Sequence, residues 1–294
     1  MSIRFGVSPI AWANDDMPEL GGDTPLETIL REAKEIGFEG VELGGKFPRE
    51  ANALKAAIAP YGVDIVGGWY SGNLLVQDAD TEVAALQDHL NLLKAMGSTV
   101  FVFAETSNAV HGARRAPMTS TPRLKDWTTF GARLSDVAED IHAQGLRFAY
   151  HHHLGTVVER SSDLEAFIGA TSDKVGLTLD TGHAALGHID AVGVIERYPQ
   201  RIAHVHCKDV RGRVHETARA EGKSFLDGVL AGMFTVPGDG DLDFGCVMKA
   251  LKKMSYQGWI IVEAEQDPAL ANPRSYGELG LTTLKLEAAA AGLI

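Results

Sequence analysis

Short apolar runs rich in valine and isoleucine alternate with longer amphipathic stretches along the whole chain. Runs of this kind are typical of buried β-strands, and the stretches between them have helical spacing. Eight strands are predicted, at residues 3–10, 40–43, 63–69, 99–104, 147–152, 175–180, 202–207 and 259–264. Helices are predicted at residues 24–36, 50–60, 81–97, 125–144, 162–170, 190–198, 243–254 and 273–291.

Eight strand–helix units without an intervening linker favour an α/β fold, a (β/α)8 TIM barrel that forms one domain over residues 1–294. A doubly wound sheet would give a similar local pattern, but a dinucleotide-binding sheet should carry GxGxxG after its first strand. The first predicted strand instead runs into SPIAWAN at residues 8–14, which has no glycine. The barrel is therefore the better prediction.

Local signals support several of these boundaries. The sequence TPLE at residues 24–27 has the pattern of a capping box with proline at the first helical position. Gly37 and Gly62 each precede a predicted strand and are suited to the turn that ends a helix. Asp243 follows a PGDG turn and is expected to cap the helix after it.

Charge and composition exclude several classes of protein. The net charge of −12 argues against a nucleic-acid partner, because such proteins usually present a basic face. No apolar run approaches the roughly 18 residues of a membrane span, and the first residues lack the apolar core of a signal peptide. Two cysteines cannot form a disulfide framework. We expect a cytoplasmic protein without a membrane partner; homo-oligomers are common among barrels, but no interface patch is evident.

The histidines are concentrated in one part of the chain. Eight of the eleven lie between residues 151 and 215, where an even spread would place about two or three. The last four predicted strands end in YHHH (150–153), LDTGH (179–183), HVHCKD (204–209) and VEAE (262–265). Barrel enzymes carry their catalytic groups at these strand ends, and mixed imidazole–carboxylate sets bind Mn²⁺, Co²⁺, Fe²⁺ or Zn²⁺.

Not every polar residue at a strand end points to chemistry. Asp180 and Glu263 lie in apolar strands, where a buried charge needs a cation or dedicated hydrogen-bond donors, so a functional role is favoured. Single histidines at such positions are more often hydrogen-bonded structural residues. His188, His204 and His215 are interpreted in that way.

Four segments carry a family resemblance: PIAWANDDMPELGG (9–22), GVELGGKFP (40–48), HHHLGT (151–156) and EAEQDP (263–268). On these motifs the chain resembles the xylose isomerase-like sugar isomerase and epimerase barrels, and within them the inosose dehydratases, over nearly its whole length. The resemblance implies a carbon–oxygen lyase of inositol catabolism that removes water from a polyol ketone, 2-keto-myo-inositol.

The resemblance also implies a divalent metal, with Mn²⁺ or Co²⁺ expected, held by His151, Asp180, His206 and Glu263. The first of these four positions is histidine (His151) in this chain, whereas the related epimerases have glutamate there. Loss of that negative charge would leave a cation that polarises a ketone more strongly, which suits elimination of water. Which member of the triplet at 151–153 binds the metal stays open.

Further residues are candidates for catalysis and substrate binding. Glu263, His153 and His183 are the candidate acid–base groups, and His183 could instead orient Asp180. The candidate substrate-binding residues are Trp12, Asn14, Glu42, Lys46, Trp69, Lys208 and Arg211, of which the two tryptophans would be equally at home in the core. No phosphate-binding glycine loop is present, so an unphosphorylated polyol is expected.

Three other functions fit the same barrel. A metal-dependent ketose epimerase or isomerase would be expected to have glutamate where His151 stands. A divalent-metal DNA-repair nuclease would need a basic groove, which the charge of −12 disfavours. A sugar-binding barrel without catalysis would not need a complete set of metal ligands.

Overall fold

The computed structural model describes residues 3–294 and closes eight parallel strands into a barrel. These strands are β1 (Arg4–Val7), β2 (Gly40–Leu43), β3 (Asp64–Gly72), β4 (Val100–Glu105), β5 (Arg147–His151), β6 (Val175–Asp180), β7 (Ile202–Cys207) and β10 (Trp259–Val262). Neighbours follow chain order around the barrel, and β10 closes it by pairing with both β7 and β1. The predicted (β/α)8 barrel is confirmed.

Helices follow the barrel strands. They are α1 (Leu26–Ile36), α2 (Ala51–Ile58), α3 (Ala79–Ala95), α4 (Trp127–Ala143), α5 (Ser161–Ala170), α6 (Thr181–Leu186), α7 (Ala191–Arg197), α8 (Gly212–Ala220), α9 (Phe225–Leu230), α10 (Phe244–Lys253) and α11 (Pro273–Ala290). All predicted helices are present with small shifts at their ends, whereas α6, α8 and α9 were not predicted. Within residues 3–294, no helix is both long enough and apolar enough to cross a bilayer.

The start of α1 differs from the prediction. Pro25 is extended (ψ 145°) and precedes a helix that begins at Leu26, and no side chain caps it. Thr24 is held in the preceding turn by its own N–H, which donates to the carbonyl of Gly21 at 2.9 Å, so the expected capping box does not form. The Asp243 cap is confirmed: its carboxylate accepts the N–H of Cys246 at 3.0 Å.

The segment between β7 and β10 forms a small unit beside the C-terminal end of the barrel. It contains a two-stranded antiparallel sheet of β8 (Asp209–Val210) and β9 (Phe234–Thr235), with α8 and α9 between them. Phe225 and Phe234 of this unit join Met17 and Leu154 from the barrel loops in an apolar cluster separate from the main core. This cluster fixes the loops that surround the barrel mouth.

Candidate active site

A cavity of about 670 Å³, open mouth included, lies at the C-terminal ends of the barrel strands. This is a size that accommodates small ligands in proteins. The titratable side chains of its wall are three histidines and five carboxylates: His151, His153, His206, Asp15, Asp16, Glu42, Glu263 and Glu265. The predicted position of the site at the strand ends agrees with this arrangement.

Four side chains converge next to the cavity; His151, His206 and Glu263 line it, and Asp180 does not. One atom each from His151, Asp180, His206 and Glu263 lies within 4.8 Å of all the others. The Nε2 atom of His151 is 3.3 Å from Nδ1 of His206, and that nitrogen is 2.9 Å from Oε2 of Glu263. These side chains come from the ends of four adjacent strands, β5, β6, β7 and β10, which is why residues far apart in sequence meet here.

The chemistry of these four side chains fits a divalent metal. Oδ1 of Asp180 accepts the N–H groups of Gly182 and His183 at 2.8 and 2.9 Å, but its Oδ2 is buried without a hydrogen-bond partner. That oxygen faces the imidazole nitrogens of His151 and His206 at 3.7 and 3.8 Å. Two imidazole nitrogens and two carboxylate oxygens form a donor set that suits Mn²⁺, Co²⁺, Fe²⁺ or Zn²⁺.

The histidine triplet divides its side chains among three environments. His151 contributes to the four-residue cluster, and its neighbour His152 lies fully buried, where its Nε2 accepts the backbone N–H of Asp180 at 3.3 Å. His153 belongs to a different group, with His183 and Glu265.

Glu42 orients His206 from the opposite side of the barrel. Its Oε1 atom is 3.0 Å from Nε2 of His206 and 2.9 Å from Nε2 of His204. Burial alone would raise the pKa of the Glu42 carboxyl, but the two histidines outweigh it and lower this pKa to about 2. Because Glu42 contacts Nε2 of His206, its Nδ1 is left to face Glu263 and Asp180. Metal-binding histidines commonly have a carboxylate on their other ring nitrogen in this way.

Lys208 is a fully buried cation next to the four-residue cluster. Its Nζ atom lies 2.7 Å from Oε1 of Glu263 and 2.8 Å from Oε1 of Glu265. Nε2 of His183 is 3.0 Å away, and Oδ2 of Asp180 is 3.7 Å away. Burial opposes its charge, but the three carboxylates together raise the pKa of Lys208 above its usual range. The ammonium group thus holds these carboxylates in place and does not line the cavity.

The tautomer of His153 follows from its contacts. Nδ1 lies 2.6 Å from the carbonyl oxygen of Leu154, which can only accept, so Nδ1 carries the proton. In the neutral ring Nε2 then has the lone pair, and this atom lies 3.8 Å from Oε1 of Glu265. The ring packs on His183, with 3.7 Å between ring centroids, and against Phe225 at 5.2 Å. These contacts fix a proton acceptor at the cavity wall.

His183 is placed less favourably for contact with substrate. It is fully buried, does not line the cavity, and has a neighbour at each ring nitrogen: the N–H of Leu154 at 3.3 Å and Nζ of Lys208 at 3.0 Å. Burial and the nearby cations keep the pKa of His183 well below its usual range. The structure therefore favours a positioning role for His183 over direct acid–base work.

The predicted substrate-binding residues are only partly brought together. Trp69 and Glu42 line the cavity, and the Trp69 indole has edge contacts with the rings of His151 and His153 at 5.3 and 5.7 Å. Lys208 lies behind the cavity wall. Trp69 thus lies where an indole could contact a substrate ring, and its role in substrate binding stays a prediction.

Four of the candidates do not reach the cavity. Trp12 is buried in the main core and donates its indole N–H to Glu32 at 2.7 Å. The side-chain oxygen of Asn14 accepts two backbone N–H groups of its own loop. Lys46 donates to the carbonyl of Gly22, and Arg211 donates to the carbonyl of Gly232 at 2.8 Å. Local partners thus hold the indole N–H of Trp12, the side-chain oxygen of Asn14 and the charged groups of Lys46 and Arg211, whereas the buried amide nitrogen of Asn14 has no partner.

Four contributors to the site are not among the predicted residues. Glu265 is the residue two positions after Glu263, a spacing that places both on one side of an extended segment. Asp15 and Asp16 lie in a family-like motif in the loop after β1, where an acidic pair is a usable signal. Phe225 comes from the unpredicted helix α9, and no local pattern indicated it.

Comparison with known proteins shows which family the chain resembles in sequence. The xylose isomerase-like TIM barrel family matches residues 30–282. The rhizopine catabolism protein MocC of Rhizobium meliloti is 46% identical, over 99% of this chain and 90% of that protein. An inosose dehydratase of Clostridium perfringens is 37% identical and one of Lacticaseibacillus casei 39% identical, each over 94% of both chains.

Solved structures share the fold at much lower identity. An L-ribulose 3-epimerase superimposes with a TM-score of 0.69 at 17% identity, over 99% of this chain and 96% of that chain. A probable 3-DHS dehydratase, AsbF of Bacillus anthracis, gives a TM-score of 0.67 at 12% identity, over 96% of this chain and 98% of that chain. From the family match and these relatives, the chain belongs to the xylose isomerase-like TIM barrel family.

Proposed function

We propose that the protein is a cytoplasmic, metal-dependent dehydratase that removes water from 2-keto-myo-inositol to give a cyclohexanedione. One observation carries this proposal: four metal-ligand atoms lie within 4.8 Å of one another, and three of their side chains line the same cavity as His153, whose neutral ring has Nε2 available to take a proton. The inosose dehydratases among the relatives support the substrate and the reaction.

Elimination of water from such a ketone has two proton transfers. A base removes the proton α to the ketone, and an acid protonates the hydroxyl group that leaves from the β carbon. His151, Asp180, His206 and Glu263 would hold the metal, for which Mn²⁺ or Co²⁺ is proposed. The bound metal would supply Lewis-acid polarisation of the ketone.

His153 is the base in this proposal. Its Nδ1–H is committed to the carbonyl of Leu154, so Nε2 accepts the α proton. The resulting imidazolium would be stabilised by the carboxylate of Glu265 at 3.8 Å. Lys208 fixes that carboxylate from behind through the 2.8 Å contact with Oε1. The protonated His153 can then return the proton to the departing hydroxyl group.

Glu263 serves as a ligand and not as the acid. One of its oxygens is 2.7 Å from Nζ of Lys208 and the other is 2.9 Å from Nδ1 of His206. Burial alone would raise the pKa of the Glu263 carboxyl, but these cationic partners hold it well below its usual range. A carboxyl group that keeps its charge in this way is a poor proton donor.

The metal is tested by removal and return. Chelation should abolish dehydration of 2-keto-myo-inositol, and added Mn²⁺ or Co²⁺ should restore it. Full activity in the metal-free protein would disprove the metal-dependent part of the proposal.

The base is tested by His153→Asn, with His188→Asn as control because His188 is exposed and does not line the cavity. We expect His153→Asn to lower kcat by about 10²–10⁴-fold and to retain its metal, whereas the control keeps wild-type activity. A His153→Asn variant with wild-type kcat would show that another group takes the proton.

A further inference from the structure

Asp16 presents a carboxylate to the cavity that the proposed mechanism does not use. It lies in the loop after β1, lines the cavity, and makes no side-chain hydrogen bond or ion pair within residues 3–294. The residue is exposed. A carboxylate without a partner at this position is free to accept hydrogen bonds from a ligand.

The loop holds Asp16 in a fixed place. The side-chain oxygen of Asn14 accepts the backbone N–H groups of Asp16 and Met17, both at 2.8 Å. Met17 is fully buried in the apolar cluster beside the barrel mouth. On the other side, the carboxylate of Asp15 accepts the N–H of Gly45 at 3.0 Å.

The absence of a side chain at Gly45 leaves room for this last contact. A Cβ at that position would lie 2.5 Å from Oδ1 of Asp15, closer than side-chain atoms normally approach. The contact ties the loop after β1 to the loop after β2. Asp16 is therefore anchored on both sides, so its carboxylate is held ready to bind a ligand.

Charge defines what such a ligand can be. Five carboxylates line the cavity and, among the residues described, none of the lining side chains is lysine or arginine. Glu265, only 2% exposed, has an Oε2 atom without a hydrogen-bond partner on the same wall. A divalent metal would offset only part of this negative charge. Acceptors that face an open cavity suit hydroxyl groups, and their charge repels anions.

We infer that Asp16 contacts the substrate, accepts hydrogen bonds from its ring hydroxyl groups, and restricts the site to uncharged polyols. The inference rests on the proposed function for the identity of the substrate. Phosphorylated or carboxylated analogues are excluded because their charge would lie among Asp16, Glu265 and the neighbouring acids.

Asp16→Asn tests this inference, since it removes the charge and keeps the size of the side chain. Asp23→Asn makes the same change in the same loop at an exposed position outside the cavity wall. Steady-state kinetics with 2-keto-myo-inositol would give KM and kcat. Calorimetry on the metal-loaded protein would compare the binding of myo-inositol with that of myo-inositol 1-phosphate.

We expect Asp16→Asn to raise KM by about 10–100-fold, the worth of a charged hydrogen bond, with a smaller change in kcat. Discrimination against the phosphate should fall at least about tenfold, and Asp23→Asn should match wild type in both respects. Unchanged KM and unchanged discrimination in a folded Asp16→Asn protein, checked by thermal unfolding, would overturn the inference.

The two proposals fail in different ways. If wild type does not turn over the ketone, the proposed function fails, and the calorimetric comparison still tests Asp16. If wild type turns over the ketone and Asp16→Asn behaves like it in both assays, only the inference about Asp16 fails.

Discussion

Replacement of Lys208 by methionine should destabilise the metal-free protein strongly. The ammonium group is fully buried and lies within 4 Å of three carboxylates, at 2.7 Å from Glu263, 2.8 Å from Glu265 and 3.7 Å from Asp180. Methionine fills similar space but leaves these carboxylates without their cation. Loss of one partner of a buried ion pair costs about 3–5 kcal/mol, because the remaining charge stays buried.

The expected change in Tm follows from the size of the chain. Unfolding entropies of about 2.1 cal/mol/K per residue give roughly 0.6 kcal/mol/K for 294 residues, so a loss of 3–5 kcal/mol lowers Tm by about 5–8 °C. Thermal unfolding followed by circular dichroism in the presence of a chelator measures this shift. Added Mn²⁺ should recover part of the loss, because the metal supplies positive charge to the same carboxylates.

Lys253→Met is the matched control. Nζ of Lys253 is 2.9 Å from Glu196, but the side chain is 75% exposed, so this pair contributes at most about 1 kcal/mol. The control should lower Tm by no more than about 2 °C. Equal shifts for the two variants would refute the argument that burial makes the Lys208 contacts strong, as would a Lys208→Met protein as stable as wild type.

Three other predictions concern separate parts of the molecule. A Cβ at Gly131 would lie 2.2 Å from the carbonyl oxygen of the last residue of α5, so Gly131→Ala should lower the free energy of unfolding in urea by about 1–3 kcal/mol. Gly169→Ala is the control: its Cβ would meet nothing within 4 Å, so the change should be neutral or stabilising. Burial lowers the pKa of His89 to about 4, so the unfolded chain binds a proton that the native protein lacks as the pH falls from about 6.5 to 4. Between pH 7 and 5, His89→Gln should therefore lose about 2 kcal/mol less stability than wild type, and parallel pH profiles would contradict this. Asp180→Asn should weaken Mn²⁺ binding by more than about 100-fold in a chelator competition. Mutation of a residue that only hydrogen-bonds to a metal ligand already lowers metal affinity by about 10–100-fold, so loss of a ligand should cost more. An unchanged affinity would show that Asp180 is not a ligand.

The barrel could be predicted because its strands are continuous apolar runs. Both faces of a barrel strand are buried, so composition and length identify β6 and β7 to the residue. The short helix α6 escaped prediction because its six residues begin directly at the end of β6, with Asp180 as both strand end and cap. The fold of residues 208–242 depends on contacts with barrel loops, which a local pattern does not contain.

The candidate site was predictable where its residues are strand ends and not where loops bring them in. Strand positions indicate a histidine at 204 or 206 and a glutamate at 263 or 265, and the family resemblance selects His206 and Glu263. The anchored position of Asp16 depends on Gly45, in another loop. Trp12 and Arg211 failed to reach the cavity because Glu32 and Gly232 bind their polar groups elsewhere. A residue's position near a strand end does not show whether its side chain faces the cavity or forms a hydrogen bond with a nearby residue instead.

Analysis of the product formed from 2-keto-myo-inositol by the metal-loaded protein tests the central claim most directly. The account predicts a product lighter by one water, with the ultraviolet absorbance of a diketone and formation that stops when the metal is chelated. A product of unchanged mass, with inverted configuration at the carbon next to the ketone, would contradict dehydration and identify the protein as an epimerase.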